Sequence, residues 1–154
     1  GDPRRLHVMG HSSGAHIGAM VAFDQRFMAA QGAPRKAIRS FVGLAGPYDF
    51  LPFTDADIQQ LMGPPAKWAD TQPINFVDAG DPPALLLHGE RDDIALPGNS
   101  TRLAAAIQKA GGRGEAVLYP ELDHYEILVA LAKPFRWLAP VRDAADAYMR
   151  AITP

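Results

Sequence analysis

The sequence predicts a single α/β domain whose parallel sheet is flanked by helices. Its 154 residues are enough for one ordinary domain, and a content of 47% hydrophobic and 21% charged residues is typical of a globular protein. Short apolar runs of strand length also alternate with helical patterns along the chain. Because this alternation is typical of strands joined by helical crossovers, it predicts parallel strands with helices packed on both faces.

Four segments are predicted as strands. The run PALLLHG is continuously apolar and is bounded by proline and glycine, as expected of a strand buried on both faces. The run RLHVMG is followed at once by a Gly/Ser turn, and EAVLYP is stopped by its proline. In chain order, the predicted strands are residues 5–10, 37–46, 83–89 and 115–120.

Three longer helices are predicted at residues 14–32, 99–112 and 140–152. Small residues recur at helical spacing in the first, so its backbone can lie close to the sheet. Asn99 or Ser100 is predicted to cap the second helix and Gly111 to end it. Residues 47–82, rich in proline, aspartate and aromatic residues, form an excursion within the single domain 1–154, with a short helix near residues 56–62.

Composition excludes several classes of function. The formal net charge is −2 and no basic run is longer than Arg4-Arg5, so the chain has no electrostatic footprint for nucleic acid. No apolar stretch approaches the roughly 18 residues of a membrane span. The absence of cysteine excludes a disulfide framework, and it fits a cytoplasmic protein without excluding export. The first residues show no initiator Met and no signal peptide, as in the interior of a longer protein.

The stretch GHSSG, residues 10–14, matches the pattern G-x-S-x-G between a predicted strand and a predicted helix. In that setting a sharp turn exposes the central serine, Ser12, above the start of the helix. Such a turn needs residues without bulk on either side of the nucleophile, which Gly10 and Gly14 supply. The backbone N–H of Ser13 is then a candidate donor to an oxyanion.

A serine hydroxyl needs a base, and the base needs an orienting acid. Ligands of this fold class gather beyond the carboxyl ends of the parallel strands. There, Glu90-Arg91-Asp92-Asp93 follows the third strand and His124 follows the fourth, in the chain order serine, acid, histidine. Asp92 is favoured over Asp93 and Glu90, although the residues alone do not decide between the two aspartates.

Four other histidines compete with His124, and each is more simply explained as structural. His7 lies within the first strand, His11 lies inside the turn and supports it, and His16 lies on the helix that follows. His88 ends the third strand and is expected to brace the acid loop by hydrogen bonding. No metal site is predicted from these histidines.

Taken together, the segments GHSSGAH, GPYDF, PALLLHGERDDIALPGNSTRLAAAIQKAGG and LYPELDH resemble the α/β-hydrolase superfamily. The closest resemblance is to the bacterial esterase and lipase branch that includes carboxylesterases and kynurenine formamidases. This resemblance implies that Ser12 is the nucleophile, Asp92 the triad acid and His124 the base. It also implies that Tyr48 and Phe50 lie near the substrate pocket, and we extend the predicted pocket to two further aromatic residues, Phe53 and Trp68.

The resemblance covers the C-terminal half of that fold. Family members carry further strands before the nucleophile and a His-Gly-Gly loop that gives a second oxyanion N–H, and neither precedes Gly10 here. Residues 5–10 would then form an exposed sheet edge, so we expect the chain either to need an upstream half or to pair with itself through this strand. The isolated 154 residues are expected to hydrolyse esters weakly or not at all.

The favoured function is hydrolysis of small-molecule carboxylic esters of small or medium acyl groups, through an acyl-enzyme and without a cofactor. One alternative is an arylformamidase or a peptidase-type amide hydrolase, because the same triad serves all three reactions. The other is an inactive fragment or a binding scaffold.

Overall fold

Four parallel strands form the central sheet of the protein. The computed structural model describes residue 2 and residues 5–152. The strands are β1 (Leu6–His11), β2 (Ile38–Leu44), β3 (Ala84–Gly89) and β4 (Gly114–Tyr119), and they lie side by side in that order. All three pairings are parallel. The predicted parallel sheet is therefore confirmed.

Six α-helices accompany the sheet in the described residues: α1 (Ser13–Phe23), α2 (Gln25–Ala30), α3 (Ala56–Met62), α4 (Gly98–Lys109), α5 (Glu126–Val129) and α6 (Val141–Ile152). Short 3-10 turns lie at Arg35–Ala37, Pro65–Thr71, Pro73–Phe76 and Lys133–Phe135. No described helix combines the length and apolarity that crossing a membrane requires.

Two hydrophobic layers sandwich the sheet, as the alternation of side chains along a strand requires. On one face, Leu86 of β3 packs with residues of α1 and α4. On the other face, its neighbours Leu85 and Leu87 pack with residues of α5 and α6. Because helices cover both faces, β3 is buried along its whole length, as the sequence predicts.

The prediction of one continuous helix over residues 14–32 is wrong, because the helix is interrupted at Asp24. This residue adopts an extended conformation, with φ −83° and ψ 99°, and its side chain accepts the N–H of Arg26 at 3.0 Å. Aspartate competes with the helical backbone in this way and starts a new helix instead of continuing the old one. The Arg26 guanidinium also pairs with this carboxylate and lowers the pKa of Asp24.

The predicted N-terminal cap of α4 is wrong, whereas Gly111, with φ 88°, follows the end of the helix as predicted. The helix begins at Gly98 and has no side-chain cap, while Asn99 and Ser100 are buried inside its first turn. Asn99 Oδ1 instead accepts the backbone N–H groups of Tyr48 and Asp49 at 2.9 and 2.8 Å. Asn99 therefore connects the excursion to α4. Its side chain makes this long-range contact instead of capping the helix.

Candidate active site

Ser12 occupies the tight turn between β1 and α1. Its backbone has φ 53° and ψ −123°, a conformation that is rare for any residue with a side chain. The turn is held in place because the Ser12 N–H donates to the carbonyl oxygen of Leu44, at the end of β2, at 2.9 Å. The hydroxyl consequently stands at the carboxyl edge of the sheet, as the motif predicts.

The two glycines of the motif are not equivalent. A Cβ atom on Gly10 would lie 2.4 Å from the carbonyl oxygen of Gly14, a distance that side chains do not tolerate. A Cβ atom on Gly14 would meet nothing within 4 Å. The prediction that the turn needs both glycines is therefore wrong for Gly14, which has room for a side chain. At Gly10, by contrast, the backbone of Gly14 occupies the space that a side chain would need.

The carboxyl ends of three strands bring Ser12, His124 and Asp92 into one hydrogen-bonded chain. His124 Nε2 lies 2.9 Å from Ser12 Oγ, and His124 Nδ1 lies 2.8 Å from Asp92 Oδ2. A carboxylate only accepts hydrogen bonds, so Nδ1 carries the proton and Nε2 is free to accept the serine proton. Both side chains are shielded from water, with exposures of 5% for His124 and 0% for Asp92.

Only one residue of the acidic run reaches the imidazole. Asp92 is buried, and its Oδ1 accepts the N–H groups of Ile94 and Ala95, each at 2.9 Å. Asp93 and Glu90 are exposed on the same loop. The tertiary structure thus distinguishes two adjacent aspartates between which the residues alone do not decide.

His88 lies at the end of β3 against the acid loop, as predicted. It is fully buried, with its Nε2 3.0 Å from Asp92 Oδ2 and 2.6 Å from the carbonyl oxygen of Ala95. Its Nδ1 lies 2.7 Å from Ser100 Oγ on α4. Burial removes water from the ring and lowers the pKa of His88, so this imidazole stays neutral.

The remaining histidines each contact a residue on another element of the fold. His11 Nε2 lies 2.7 Å from the backbone carbonyl oxygen of His124, and the two rings are 4.9 Å apart. His16 Nε2 lies 2.7 Å from the carbonyl oxygen of Thr71 in the excursion. His7 contacts Ser40 on the neighbouring strand. The sequence did not reveal the contact between His11 and the loop of the predicted base, because it joins residues 113 positions apart.

Ser13 is the first residue of α1. The first N–H groups of a helix have no acceptor within the helix and are available to an anion. The Ser13 N–H follows directly after Ser12, at the positive end of the α1 dipole. Within the described part of the chain, no three His, Asp or Glu side chains converge to hold a metal ion.

The aromatic residues of the excursion separate into two environments. Phe50, Phe53 and Trp68 form a row of rings with centroids 5.1 and 4.9 Å apart, and the row reaches α1 where Phe50 meets His16 edge-on at 5.6 Å. Tyr48 differs from the pocket prediction. It is completely buried in the core against Phe41, where loss of water raises the pKa of its hydroxyl.

A groove of about 470 Å³ opens between the excursion and the acid loop. Phe50 and Phe53 line one wall, and Ile94 and Leu96, which follow Asp92, line the other. Neither Ser12 nor His124 belongs to its lining, so the groove lies beside the Ser12–His124–Asp92 chain instead of containing it.

Comparison with known proteins places this geometry in a family. The BD-FAE family matches residues 1–107, more than half of the chain. Esterase LipQ of Mycobacterium tuberculosis (strain ATCC 25618 / H37Rv) is 28% identical over 151 residues, which cover 88% of this chain and 35% of LipQ. The isoprenylcysteine alpha-carbonyl methylesterase ICME of Arabidopsis thaliana is 24% identical, over 84% of this chain and 35% of its own length.

Solved structures show the same fold. The apo form of Thermogutta terrifontis esterase 2 superimposes with a TM-score of 0.73 at 18% identity, over 99% of this chain and 57% of the esterase. The chain thus spans about a third of the length of these curated relatives and just over half of that esterase. The family match and the parallel sheet agree: the chain belongs to the BD-FAE family, within the esterase and lipase branch of the α/β-hydrolase superfamily.

Proposed function

We propose that the protein is a serine hydrolase that cleaves carboxylic esters of small or medium acyl groups. The observation that carries this proposal is the continuous hydrogen-bonded chain from Ser12 Oγ through His124 to Asp92 Oδ2. A strained turn, a neutral imidazole acceptor and a buried carboxylate are the features that activate a serine hydroxyl.

In the proposed reaction, Ser12 Oγ attacks the ester carbonyl carbon while His124 Nε2 takes the hydroxyl proton. Asp92 stabilises the imidazolium through the Nδ1–H. The Ser13 N–H donates to the oxyanion that forms as the carbonyl double bond opens. Collapse of this intermediate breaks the bond to the leaving alkoxide, which receives the proton from His124, and leaves an acyl group on Ser12.

The second half repeats these steps with water as the nucleophile. His124 takes a proton from the water as its oxygen attacks the acyl carbon. The bond to Ser12 Oγ then breaks, and the serine recovers its proton from His124 as the acid product leaves. The side chains of this site complete the cycle without a cofactor.

Phe50, Phe53 and Trp68 are proposed to shape the acyl pocket. This role is supported by their contiguous rings, which connect through His16 to the helix that follows Ser12. The adjoining groove has apolar side chains on both of its walls that can contact a hydrocarbon group, and Asp49, Asp55, Asp93 and Arg102 also line it.

Fluorophosphonate labelling tests the proposed function, because an activated serine attacks the phosphorus of these reagents, displaces fluoride and becomes phosphonylated. We expect covalent labelling of the protein, and none of the Ser12→Ala variant. Wild-type protein that stays unlabelled would instead support the binding-scaffold alternative. Turnover of matched ester, arylformamide and peptide substrates then separates ester cleavage from amide cleavage, and preference for the amide would overturn the assignment to esters.

A further inference from the structure

His88 shares a carboxylate oxygen with the proposed base. Asp92 Oδ2 lies 2.8 Å from His124 Nδ1 and 3.0 Å from His88 Nε2. The imidazole of His88 has no exposure to solvent, and it comes from the strand that leads into the acid loop. Two imidazoles therefore converge on one oxygen, although the proposed reaction uses only one of them.

The contacts of His88 fix its tautomer. Nε2 faces two groups that can only accept, the Asp92 carboxylate and the Ala95 carbonyl, so this nitrogen carries the proton. The ring is neutral because burial lowers the pKa of His88. Nδ1 is then an acceptor, and the Ser100 hydroxyl at 2.7 Å donates to it. The direction of donation runs from Ser100 through His88 to Asp92.

This arrangement fills the acceptor capacity of the carboxylate. An ionised carboxylate offers about four lone-pair sites. The N–H groups of Ile94 and Ala95 occupy Oδ1, and the two imidazoles occupy Oδ2. Rotation of the carboxylate would break several of these hydrogen bonds at once. The bonds therefore fix the orientation of the carboxylate toward His124.

We propose that His88 is a positioning residue for the triad acid: its Nε2–H holds the Asp92 carboxylate in the orientation that presents Oδ2 to His124. This inference rests on the proposed function, since it assigns His88 a part in the same reaction. His88 touches neither substrate nor Ser12. It acts through Asp92, and Ser100 in turn orients His88.

Two substitutions separate positioning from simple filling of space. His88→Leu keeps most of the volume but removes the N–H, whereas the side-chain amide of His88→Gln can still donate to Asp92. We expect Leu to lower kcat by about 10- to 100-fold with KM unchanged, the range seen when groups that orient functional ligands are removed. Gln should retain most of the activity.

A double-mutant cycle with Asp92→Ala supplies the decisive comparison. Once the carboxylate is gone there is nothing for His88 to position, so adding His88→Leu to Asp92→Ala should leave kcat unchanged. A merely structural histidine would cost the same factor in both backgrounds. Equal losses in the two backgrounds, or equal activity of the Leu and Gln variants, would overturn the proposal.

Two further measurements make the test robust. If His88→Leu does not fold, Ser100→Ala removes the hydroxyl that orients the ring, and a smaller fall in kcat with KM unchanged is expected; no change in kcat would contradict the proposal. The NMR resonance of the His124 Nδ1 proton should move in His88→Leu and stay in place in His88→Gln. This resonance needs no turnover, so it tests the contact even if the wild-type protein hydrolyses no ester.

Discussion

At the scale of single residues, the site is defined by which polar atoms are shielded and which remain free. Asp92 is buried with every acceptor site engaged, while Asp93 beside it is exposed. Ser12 sits at the point where the turn forces an unusual backbone conformation, and Ser13 already belongs to the helix. Neighbours of the same chemical type therefore have different expected roles, and substitution can distinguish them.

Exchanging each serine of the turn for alanine, in a form of the protein that hydrolyses esters, tests the assignment of the nucleophile. Ser12→Ala removes the hydroxyl that contacts His124 and should lower ester turnover on the order of 10⁶-fold. Ser13→Ala leaves the backbone N–H in place and should change turnover by less than about 10-fold. Steady-state hydrolysis of an activated ester measures both, and loss of turnover only in Ser13→Ala would show that the turn has been misinterpreted.

The two aspartates of the acid loop allow a second matched comparison in the same ester-hydrolysing form of the protein. Asp92→Ala removes the partner of His124 Nδ1, so we expect kcat to fall on the order of 10⁴-fold. Asp93→Ala, on the exposed neighbour, should cost far less. The comparison requires kcat of both variants, with thermal unfolding to show that each is folded. The reverse ranking would move the acid to Asp93.

At the scale of elements, the parallel sheet brings the residues of the candidate site together at the carboxyl ends of its strands. β1, β3 and β4 each end directly before the residue or loop that carries Ser12, Asp92 or His124. Close packing of backbone against backbone keeps these ends in place: a Cβ atom on Gly89, for example, would lie 2.1 Å from the carbonyl oxygen of Leu122. The glycines at strand ends thus set the spacing of the site.

The turn between β1 and α1 gives a direct test of this packing. Gly10→Ala would force a Cβ atom against the Gly14 carbonyl, so we expect either unfolding or loss of fluorophosphonate labelling. Gly14→Ala has open space and a helical environment, and it should be neutral or stabilising by up to about 1 kcal/mol. Chemical denaturation measures both variants, and equal destabilisation by the two would contradict the steric explanation.

The excursion is the element expected to decide acyl preference. Phe53→Ala should shift the preference among esters toward longer acyl chains, because it opens space in the aromatic row that borders the groove. Phe76→Ala provides a control, since Phe76 packs against the core at the end of the excursion and lies outside the groove lining. If both variants lose stability and neither changes relative kcat/KM across the ester series, Phe53 is simply part of the core.

At the scale of the whole molecule, the two faces of the sheet are covered but its edges are not. Among the described residues, β1 pairs only with β2, and Met9 on β1 is 39% exposed. A groove of about 260 Å³ lies beside this strand, lined by Met9 and by residues of α6, including Ala145 and Met149. An uncovered, largely apolar strand edge is a template for pairing with another strand.

We expect the 154-residue chain to self-associate through β1 at high concentration. Met9→Lys places a charge on this edge and should shift the chain toward the monomer in size-exclusion chromatography with light scattering. Val117→Lys on β4, at the opposite edge, is a matched control, because Val117 is 37% exposed. A stable monomer in the unsubstituted chain, or an equal effect of the two lysines, would contradict pairing through β1.

Local patterns in the sequence determined the order of the four strands and of the longer helices, but they did not predict α5. Apolar runs ended by glycine and proline identified the four strands, and the short helix at Ala56–Met62 lies where its pattern predicts. The placement of GHSSG between strand and helix also identified Ser12 as the residue of the tight turn. These features depend on neighbours a few positions away, which is the distance over which propensity and periodicity act.

Contacts between distant residues were decided by the tertiary structure alone. The use of Asn99 as an anchor for the excursion depends on backbone N–H groups of Tyr48 and Asp49, about 50 positions away in the chain. The choice of Asp92 over Asp93 and the placement of Tyr48 in the core depend on burial, which no local pattern encodes. Ser12 and His124 lie 112 positions apart, and only the packing of the parallel strands brings their side chains within hydrogen-bonding distance.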